Sequence, residues 1–499
     1  MKTKTQPQIT KSRIGFKFLV LSFQFCAALD LLGGGATAGR IAPTDNRGKF
    51  PTLTDVFSPA SFKARRARLA PLVSDGIVVL FGEKNPIDAW EEHANDPFFR
   101  VGPFRQEENL FYLTGVSTPD VAIVIDPRSE ETIVYAPAGI SPGHADGGAE
   151  LRDELIRLGL RGPEPMTRLE PDLTARLANR PAYLLTRSDA LATAFNPRHV
   201  FAPFLPGAAP GTYREDIIAQ LFSKRFPGVR VKSIVPAMVT LRKVLDADEI
   251  AAMRRVVKIS VDGLRRGIEH VRPGVDEREV AAEIEYVFKK SGAQLIAYGA
   301  DLQSGPNGLR SFIDIDASYD LRNRTMRTGE VALIDHSAEA NYYVSDIART
   351  VPVSGKFSPE QRLAYETYLA AYQAGLDAIR PGVPYMDAAR AAGRALEARL
   401  EQLPDWLRPP AADFAKVVAA ATPGHFLGMN LHLHDDYTSP LVPGQVVAYE
   451  SAFKIPSRGW RFTAEDVVLV TREGHDVLSA DLPRSADGLE NLMHSLTTR

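Results

Sequence analysis

The sequence predicts an α/β domain followed by an α+β domain. From residue 61 to about residue 168, apolar strand-like runs alternate with helical stretches, which is the pattern of an α/β fold. From Val331 onward, short apolar strands separated by turns are mixed with helices in an order typical of an α+β unit. The length supports this division, because one hydrophobic core rarely serves a chain of 499 residues.

Apolar runs that end at turn residues predict the strands of the first domain. They cover residues 76–81, 120–125, 131–136 and 182–186. A helix is predicted over residues 149–158. The Pro-rich stretch 195–212 is predicted to be a long loop without secondary structure.

Helical periodicity opens the second domain. Residues 249–270 carry apolar side chains on a nearly continuous face, and Asp246 and Asp248 precede them as acids suited to a helix start. A Pro-Gly pair ends this helix, and a second helix is predicted over residues 276–290. Two further helices are predicted near residues 359–379 and 386–403.

Composition and charge exclude several classes of function. The chain has 59 Lys and Arg against 61 Asp and Glu, and the net charge of −2 gives no electrostatic reason to expect nucleic acid as a partner. The single cysteine, Cys26, excludes an internal disulfide framework and any thiolate zinc site. A metal site in this chain must therefore use carboxylates and imidazole.

Residues 1–38 have the layout of a secretory signal peptide. Basic residues precede an apolar run from Phe18 to Leu29, and Ala36-Thr37-Ala38 fits a small-residue cleavage site. The apolar run is too short for a good membrane span, so no stable membrane anchor is expected. The prediction is a secreted or periplasmic protein, and the alternative is a cytoplasmic protein with an N-terminal extension.

Asp335 and Asp346 stand on a predicted hairpin of the second domain. Asp335 ends the apolar strand 331–335, and Asp346 lies in the strand-like segment 344–350. A turn near residues 340 and 341 would set the two carboxylates directly opposite each other, with Cβ atoms about 5 Å apart. Like charges in that position repel each other, and a bound cation would reverse the sign of the interaction.

Glu450 and Glu465 repeat this arrangement on a second predicted hairpin. Glu450 ends the strand-like run 446–450, and Glu465 lies in the run 464–470. Between them is 456–459, a Pro-Ser-Arg-Gly segment typical of a β-turn, whose centre is equidistant from the two glutamates. Either pair alone is also explained by solvated acids at the ends of strands.

A cluster of histidines supplies a fifth candidate ligand. His425, His432 and His434 fall within one short segment of a chain that has 10 histidines in total. Without acids nearby, a histidine here would be interpreted as a hydrogen-bonded structural residue. Together with four paired carboxylates, however, one imidazole completes an oxygen-rich set suited to two divalent ions such as Mn²⁺.

On these residues the sequence resembles the pita-bread metallopeptidases, and within them the Xaa-Pro aminopeptidases (aminopeptidase P) and prolidases. Residues 345–350 are similar to the family's S-D-I-T-R-T segment, and residues 465–471 to its E-D-x-V-x-V-T ending. The family's five metal ligands match, in order and approximate spacing, Asp335, Asp346, His425, Glu450 and Glu465.

A second resemblance lies in the first domain. Residues 104–115 look like the signature of the aminopeptidase P N-terminal domain, although on their own they predict only an aromatic-rich turn and strand in the core. The resemblance covers most of residues 60–475. It implies a signal peptide at 1–38, an α/β aminopeptidase P-like domain at 50–235 and a pita-bread catalytic domain at 236–499.

The resemblance implies a dinuclear metallopeptidase that removes an N-terminal residue preceding proline. Two divalent ions, with Mn²⁺ expected and Zn²⁺ or Co²⁺ as alternatives, would hold a bridging water as hydroxide. Glu450 would bind metal and accept a proton from that water, and His432 would contact the substrate near the scissile bond. The expected partners are a peptide or small amide substrate and further copies of the chain in a homodimer or homotetramer.

Several positions depart from the family pattern. Phe312 and Ala421 stand where the family has histidines, Thr463 stands where it has an arginine, and Ser451-Ala452 replaces the Pro-Gly that follows Glu450. The metal ligands are therefore retained, while residues expected to contact substrate are changed. Two alternatives follow: a metallohydrolase of this fold that acts on another amide or dipeptide, and a non-catalytic binding protein on this fold.

Overall fold

The computed structural model of the chain describes residues 50–83, 104–137, 149–185, 214–316, 318–433 and 436–494. The predicted signal peptide at 1–38 and the predicted loop at 195–212 lie outside the described residues. Residues Pro51–Arg499 form one compact unit. Among the described helices, none is both long and apolar enough to cross a membrane.

A mixed six-stranded sheet forms the first half of the fold. Its strands are β1 Ile77–Phe81, β2 Ala122–Asp126, β3 Glu131–Ala136, β4 Arg161–Pro165, β5 Ala182–Leu184 and β6 Val231–Ser233. Their order is β4-β3-β2-β1-β5-β6, with β1, β2 and β3 antiparallel and the other neighbours parallel. The four strands predicted from apolar runs are confirmed, and β4 and β6 lack a run that would have predicted them.

Helices cover both faces of this sheet, which confirms the α/β prediction. They are α1 Leu53–Val56, α2 Pro59–Leu69, α3 Glu108–Thr114, α4 Ala149–Leu158, α5 Leu169–Arg176, α6 Arg214–Arg225 and α7 Val235–Arg242. Successive strand residues point to opposite faces. Val78 accordingly belongs to the core that contains Phe62 and Phe111, whereas Val79 packs with Leu173 and Phe222.

Within the segment 104–115, residues Glu108–Thr114 form a helix, so the prediction of a turn and strand there is wrong. The Glu107 carboxylate accepts hydrogen bonds from the backbone N–H groups of Asn109 and Leu110 and so caps α3. Gly115, at φ 75°, ends the helix in a conformation that favours glycine. The predicted core position is confirmed, because residues 110–113 are fully buried.

Two antiparallel sheets form the second half of the fold. The larger contains β8 Asp301–Ser304, β9 Val331–Asp335, β12 Ala348–Pro352, β13 Gly424–Phe426, β14 Val446–Ile455, β15 Trp460–Val470 and β16 His475–Val477. Its order is β13-β14-β15-β12-β9-β8, and β16 pairs with β15. The smaller contains β7 Leu295–Ile296, β10 Ala338–Ala340 and β11 Tyr343–Val344, in the order β11-β10-β7.

Helices cap and flank these sheets. They are α8 Ala247–His270, α9 Glu277–Lys290, α10 Phe312–Ile315, α11 Pro359–Ala378, α12 Met386–Glu397, α13 Arg408–Ala420 and α14 Ala486–His494. The predicted helices in this half are confirmed, except that α12 ends at Glu397 and a 3₁₀ turn follows it. Asp246 begins α8 through a capping box with Glu249, as the acids before that helix predict.

One face of the larger sheet packs against α11 and α13 and leaves the other face for polar groups. The Tyr449 ring lies 4.6 Å from that of Tyr372 on α11, and the Phe453 ring lies 5.0 Å from that of Phe414 on α13. Alternation along β14 then directs Glu450 and its alternate neighbours to the opposite face. That opposite face, called the site face below, carries the candidate ligands.

Candidate metal centre

Glu450 and Glu465 are directly opposed across the β14–β15 hairpin. The ladder between these strands continues without a bulge to the pair Ile455 and Trp460. A 3₁₀ turn over Pro456–Arg458 joins the strands, followed by Gly459 at φ 65°. The register and the turn predicted for this hairpin are confirmed.

Three further strand pairings extend the Glu450–Glu465 pair into a row of acids across the sheet. Glu465 pairs with Ala348 on β12, Ala348 pairs with Asp335 on β9, and Asp335 pairs with Asp301 on β8. Residues paired in this way project to the same face. The site face therefore carries one cross-strand row of four carboxylates, interrupted only by the small side chain of Ala348.

Asp335 and Asp346 are not directly opposed, so the predicted register of their hairpin is wrong by two residues. The turn falls at Asn341 and Tyr342, which both have positive φ, and Asp335 pairs with Ala348. Asp346 lies between β11 and β12, where the ladder is interrupted. The side chains still converge, because an offset of two residues keeps them on one face.

Tyr298 joins the two aspartates. Its hydroxyl lies 2.6 Å from Asp335 Oδ1 and 2.6 Å from Asp346 Oδ1. A hydroxyl has one hydrogen to donate, so a second short contact needs a proton shared with a carboxyl or a cation nearby. Burial, then the charges of Asp335 and Asp346, raise the pKa of Tyr298 well above its ordinary value, so its hydroxyl stays protonated.

His425 brings an imidazole to this group from β13. Its Nε2 lies 3.1 Å from Asp346 Oδ2 and 4.0 Å from Glu465 Oε1. One ligand atom each from Asp346, His425 and Glu465 lie within 4.8 Å of one another. His425 Nδ1 is buried and has no hydrogen-bond partner among the described residues. These three side chains are placed to hold one cation.

Burial and mutual repulsion make the ionised carboxylates costly. Burial first, then the charges of Asp346 and Asp301, raise the pKa of Asp335 well above its usual range. Burial, then Asp346 and Glu450, do the same to the pKa of Glu465. Burial also raises the pKa of Glu450, although His425 opposes the shift. A bound divalent cation would offset both effects, and the carboxylate and imidazole donors fit such an ion.

Asp301 extends the acid row beyond the predicted ligands. Its side chain is buried, and its Oδ1 has no hydrogen-bond partner in the described part of the chain. Burial raises the pKa of Asp301 to about 6, while the guanidinium of Arg461 opposes the shift. Neither Asp301 nor Tyr298 is marked by a local sequence pattern, because their contacts with the other acids form only when distant segments come together.

The other predicted site residues surround the centre less closely. His432 is exposed, and its ring centroid lies 4.2 Å from that of His425. Desolvation, then the charge of His425, lower the pKa of His432 to about 4. Phe312 begins α10 with 38% of its surface exposed, and Ala421 is exposed immediately after α13.

Residues of the 104–115 segment contact the loops of the centre. The Tyr342 ring in the hairpin turn stacks on Phe111 at 3.9 Å, and its hydroxyl accepts a hydrogen bond from the Gln106 backbone N–H. Asn430, which falls between His425 and His432 in the sequence, donates a side-chain hydrogen bond to the Glu108 carboxylate. The first half of the fold therefore supports loops that carry candidate site residues.

Two family models match the chain in the same order as its two halves. The model described as "Aminopeptidase P, N-terminal domain" matches residues 62–141, and "Metallopeptidase family M24" matches residues 251–472. The matched region 251–472 belongs to metallopeptidase family M24. As a member of this family it is a metal-dependent hydrolase, and the acid row with His425 lies within the matched region.

Curated relatives and solved structures agree with this family. The Xaa-Pro aminopeptidase of Escherichia coli is 26% identical over 425 residues, which cover 78% of this chain and 89% of the relative. The mouse protein named Xaa-Pro aminopeptidase 3 is 26% identical over 402 residues, covering 78% of this chain and 76% of the relative.

Structural similarity extends over both halves. Pseudomonas aeruginosa aminopeptidase PepP, at 26% identity and a TM-score of 0.70, covers 89% of this chain and 99% of its own. Aminopeptidase P from E. coli, at 22% identity and a TM-score of 0.70, covers 89% of this chain and 100% of its own. The predicted fold class, a pita-bread domain preceded by an aminopeptidase P-type α/β domain, is confirmed.

Proposed function

We propose that the chain is an Xaa-Pro aminopeptidase that uses two divalent cations, with Mn²⁺ as the expected metal. The observation that carries the proposal is the convergence of five donor side chains on the site face. They are Asp335, Asp346, His425, Glu450 and Glu465. The names of the curated relatives support the same substrate class.

Each ligand has a stated place in this proposal. Asp346, His425 and Glu465, whose ligand atoms lie within 4.8 Å of one another, would hold one cation, and Asp335 and Glu450 would supply the further ligands for the second. When bound, the cations supply Lewis acidity that polarises the scissile carbonyl and lowers the pKa of a water molecule. The burial of these acids keeps bulk water away and strengthens their interaction with the cations.

Glu450 would accept a proton from the attacking water, and His432 would donate a hydrogen bond to the substrate. Burial raises the pKa of Glu450 above its ordinary value, which makes its carboxylate a better proton acceptor at neutral pH. His432, with a pKa of about 4, is neutral near pH 7 and keeps one ring N–H to donate to the reacting carbonyl oxygen. A neutral donor stabilises developing negative charge without adding another positive charge beside the bound cations.

The proposal is tested by metal content and substrate preference together. The purified protein is assayed for bound metal, loaded with Mn²⁺, Co²⁺ or Zn²⁺ and offered Xaa-Pro peptides and matched Xaa-Ala peptides. Asp346→Asn removes one predicted ligand, and Asp320→Asn, an exposed acid outside the site face, is its matched control.

We expect the loaded protein and Asp320→Asn to cleave the bond before proline, and Asp346→Asn to lose both metal and activity. A folded wild-type protein that binds no divalent metal would contradict the proposal. Cleavage of Xaa-Ala in preference to Xaa-Pro peptides would instead favour a hydrolase of another amide.

A further inference from the structure

Two basic side chains share the site face with the acids. Lys454 and Arg461 are directly opposed in the β14–β15 ladder, four positions along each strand from the pair Glu450 and Glu465. Because alternate strand residues share a face, both basic side chains project to the side of the metal centre. Like charges that are directly opposed destabilise an antiparallel pair. The Asp301 carboxylate attracts both cations and offsets part of this repulsion, and an anion bound between them would offset the rest.

Three neighbours orient the guanidinium of Arg461. Its Nε donates to Thr463 Oγ1 at 3.2 Å, and its Nη1 donates to Gln303 Oε1 at 3.0 Å and lies 3.6 Å from Asp301 Oδ2. Its Nη2 makes no hydrogen bond within the described part of the chain. One edge of the guanidinium is therefore fixed, and the remaining nitrogen is available to a ligand.

The ammonium of Lys454 is also available. The residue is exposed, and its Nζ forms no hydrogen bond or ion pair with the residues that the structure describes. Desolvation and the nearby charge of Arg461 lower the pKa of Lys454, although the carboxylate of Asp301 opposes the shift. An anion that approaches from solvent would therefore meet two cations on adjacent strands, one of them held in a fixed orientation.

Small side chains separate these cations from the ligand row. Ala452 and Thr463 are directly opposed between the two rows. Because one alternate position along a strand spans about 7 Å, the Arg461 head beside Thr463 lies roughly that far from the Glu450–Glu465 pair. In a dipeptide, the C-terminal carboxylate lies about 4 Å from the scissile carbonyl. A hydrogen bond from that carboxylate to the guanidinium adds about 3 Å, so the two distances together span the gap between the ligand pair and Arg461.

We propose that Lys454 and Arg461 bind the free carboxylate of a dipeptide substrate, so that the centre prefers dipeptides to longer or C-terminally blocked peptides. This inference rests on the proposed peptidase function and names its substrate class. It also accounts for one departure from the family pattern. Thr463 lacks the family's arginine, and Arg461, two positions earlier on the same face, supplies a cation beside Thr463.

The test compares two substrates that differ only in the C-terminal group, which is a charged carboxylate in one and a neutral amide in the other. The kcat/KM values of the Mn²⁺-loaded protein are measured for Ala-Pro and for Ala-Pro-amide. The variants are Arg461→Gln and Lys454→Gln. Arg458→Gln is the matched control, because Arg458 lies in the turn of the same hairpin and pairs with Glu360 instead.

We expect the wild type to favour the free carboxylate about tenfold or more, which is the size of a charge-assisted hydrogen bond. Each variant should lower this ratio toward one by raising KM for Ala-Pro more than KM for Ala-Pro-amide, and the Arg458→Gln control should keep the wild-type ratio. Lys454 is exposed, so its replacement keeps the fold, and circular dichroism verifies that for both variants.

Two outcomes would overturn the inference while leaving the peptidase function intact. One is equal hydrolysis of Ala-Pro and its amide by the wild type. The other is a carboxylate preference that survives in both variants. Hydrolysis of neither substrate by metal-loaded protein would overturn the proposed function itself and this inference with it.

Discussion

Arg349 and Asp466 form a fully buried ion pair on the face of the sheet opposite the metal centre, with Arg349 Nη2 at 2.7 Å from Asp466 Oδ1. Arg349 follows Ala348 in the row, and Asp466 follows Glu465. Arg349 also donates to the Glu465 carbonyl, so it joins β12 to β15 at the level of the ligands. The pair therefore fixes the spacing of strands whose other face carries the acids.

Replacement of Arg349 by Met is expected to destabilise the fold by about 3–5 kcal/mol, because it leaves the buried charge of Asp466 with fewer partners. Urea denaturation measures the change. Arg254→Met is the control, since Arg254 and Asp476 form an exposed pair at 2.7 Å. That variant should change stability by about 1 kcal/mol or less. Equal effects of the two substitutions would contradict the structural role of the buried pair.

Tyr298→Phe should weaken metal binding without abolishing it. The substitution removes the hydroxyl that contacts Asp335 and Asp346 but leaves every predicted ligand in place. Loss of such an outer contact typically lowers metal affinity about 10- to 100-fold. Calorimetric titration with Mn²⁺ measures the affinity, and Tyr286→Phe, which changes an exposed tyrosine on α9, serves as control. Unchanged affinity in Tyr298→Phe would show that the hydroxyl does not orient the aspartates.

Divalent metal should stabilise the folded protein, because it offsets the repulsion among the buried acids. At a free metal concentration 100 times Kd, the gain is about 2.7 kcal/mol if the unfolded chain binds none. A thermal scan with and without a chelator measures it. Glu465→Gln should show a smaller response to metal than the wild type. A melting temperature that ignores both Mn²⁺ and chelator would contradict the assignment of the acid row to metal.

Stability should fall as pH rises through neutrality because of Glu249. Burial raises the pKa of this carboxyl from 4.5 to about 7, even though Arg65 opposes the shift. The native state thus holds the proton more tightly than the unfolded state. Its contribution is complete below pH 4.5 and is lost as pH rises through about 7, a change of about 3 kcal/mol at most.

Urea denaturation at a series of pH values between 4.5 and 8 measures this dependence. The Glu249→Gln variant should show a shallower slope than the wild type in that window, because it removes one of the buried acids whose pKa is raised. Asp262→Asn, which changes a half-exposed acid of the same helix that pairs with Lys258, should retain the wild-type slope. A Glu249→Gln protein with the full wild-type slope would assign the dependence to other groups.

Phe312→His should change substrate preference or rate and leave metal content unchanged. Phe312 is partly exposed and lies on α10, outside the cross-strand row. An imidazole there adds a hydrogen-bond donor that phenylalanine lacks. Metal analysis and peptide kinetics on the same preparation separate the two effects. Loss of metal in this variant would contradict its assignment to substrate contact.

The hairpin of Glu450 and Glu465 was predictable because its signals are local. A Pro-Ser-Arg-Gly turn joins two strands that remain paired without a bulge, so counting from the turn gives the register. The hairpin of Asp335 and Asp346 was not, because its turn places Tyr342 at φ 72°, a conformation that the residue type does not signal. No sequence signal marks the interruption of the ladder at Asp346 either.

Residues that meet only through the sheet lay beyond prediction from sequence. Asp301 joins the acid row because β8 pairs with β9, and Tyr298 reaches both aspartates from the segment before β8. The helix at 108–114 was missed for a different reason. Its aromatic residues favour a strand by composition, and the capping carboxylate of Glu107 outweighs that preference.

The stacking of Phe111 on Tyr342 has a consequence for how such a chain can evolve. The turn between the segments that carry Asp335 and Asp346 packs against a ring from the other half, and Asn430 donates a hydrogen bond to Glu108 of that half. If the catalytic half were combined with an unrelated N-terminal half, the stacking on Tyr342 and the hydrogen bond to Asn430 would be lost. The two halves are therefore expected to be inherited together, and substitutions on one side of this contact to be followed by compensating changes on the other.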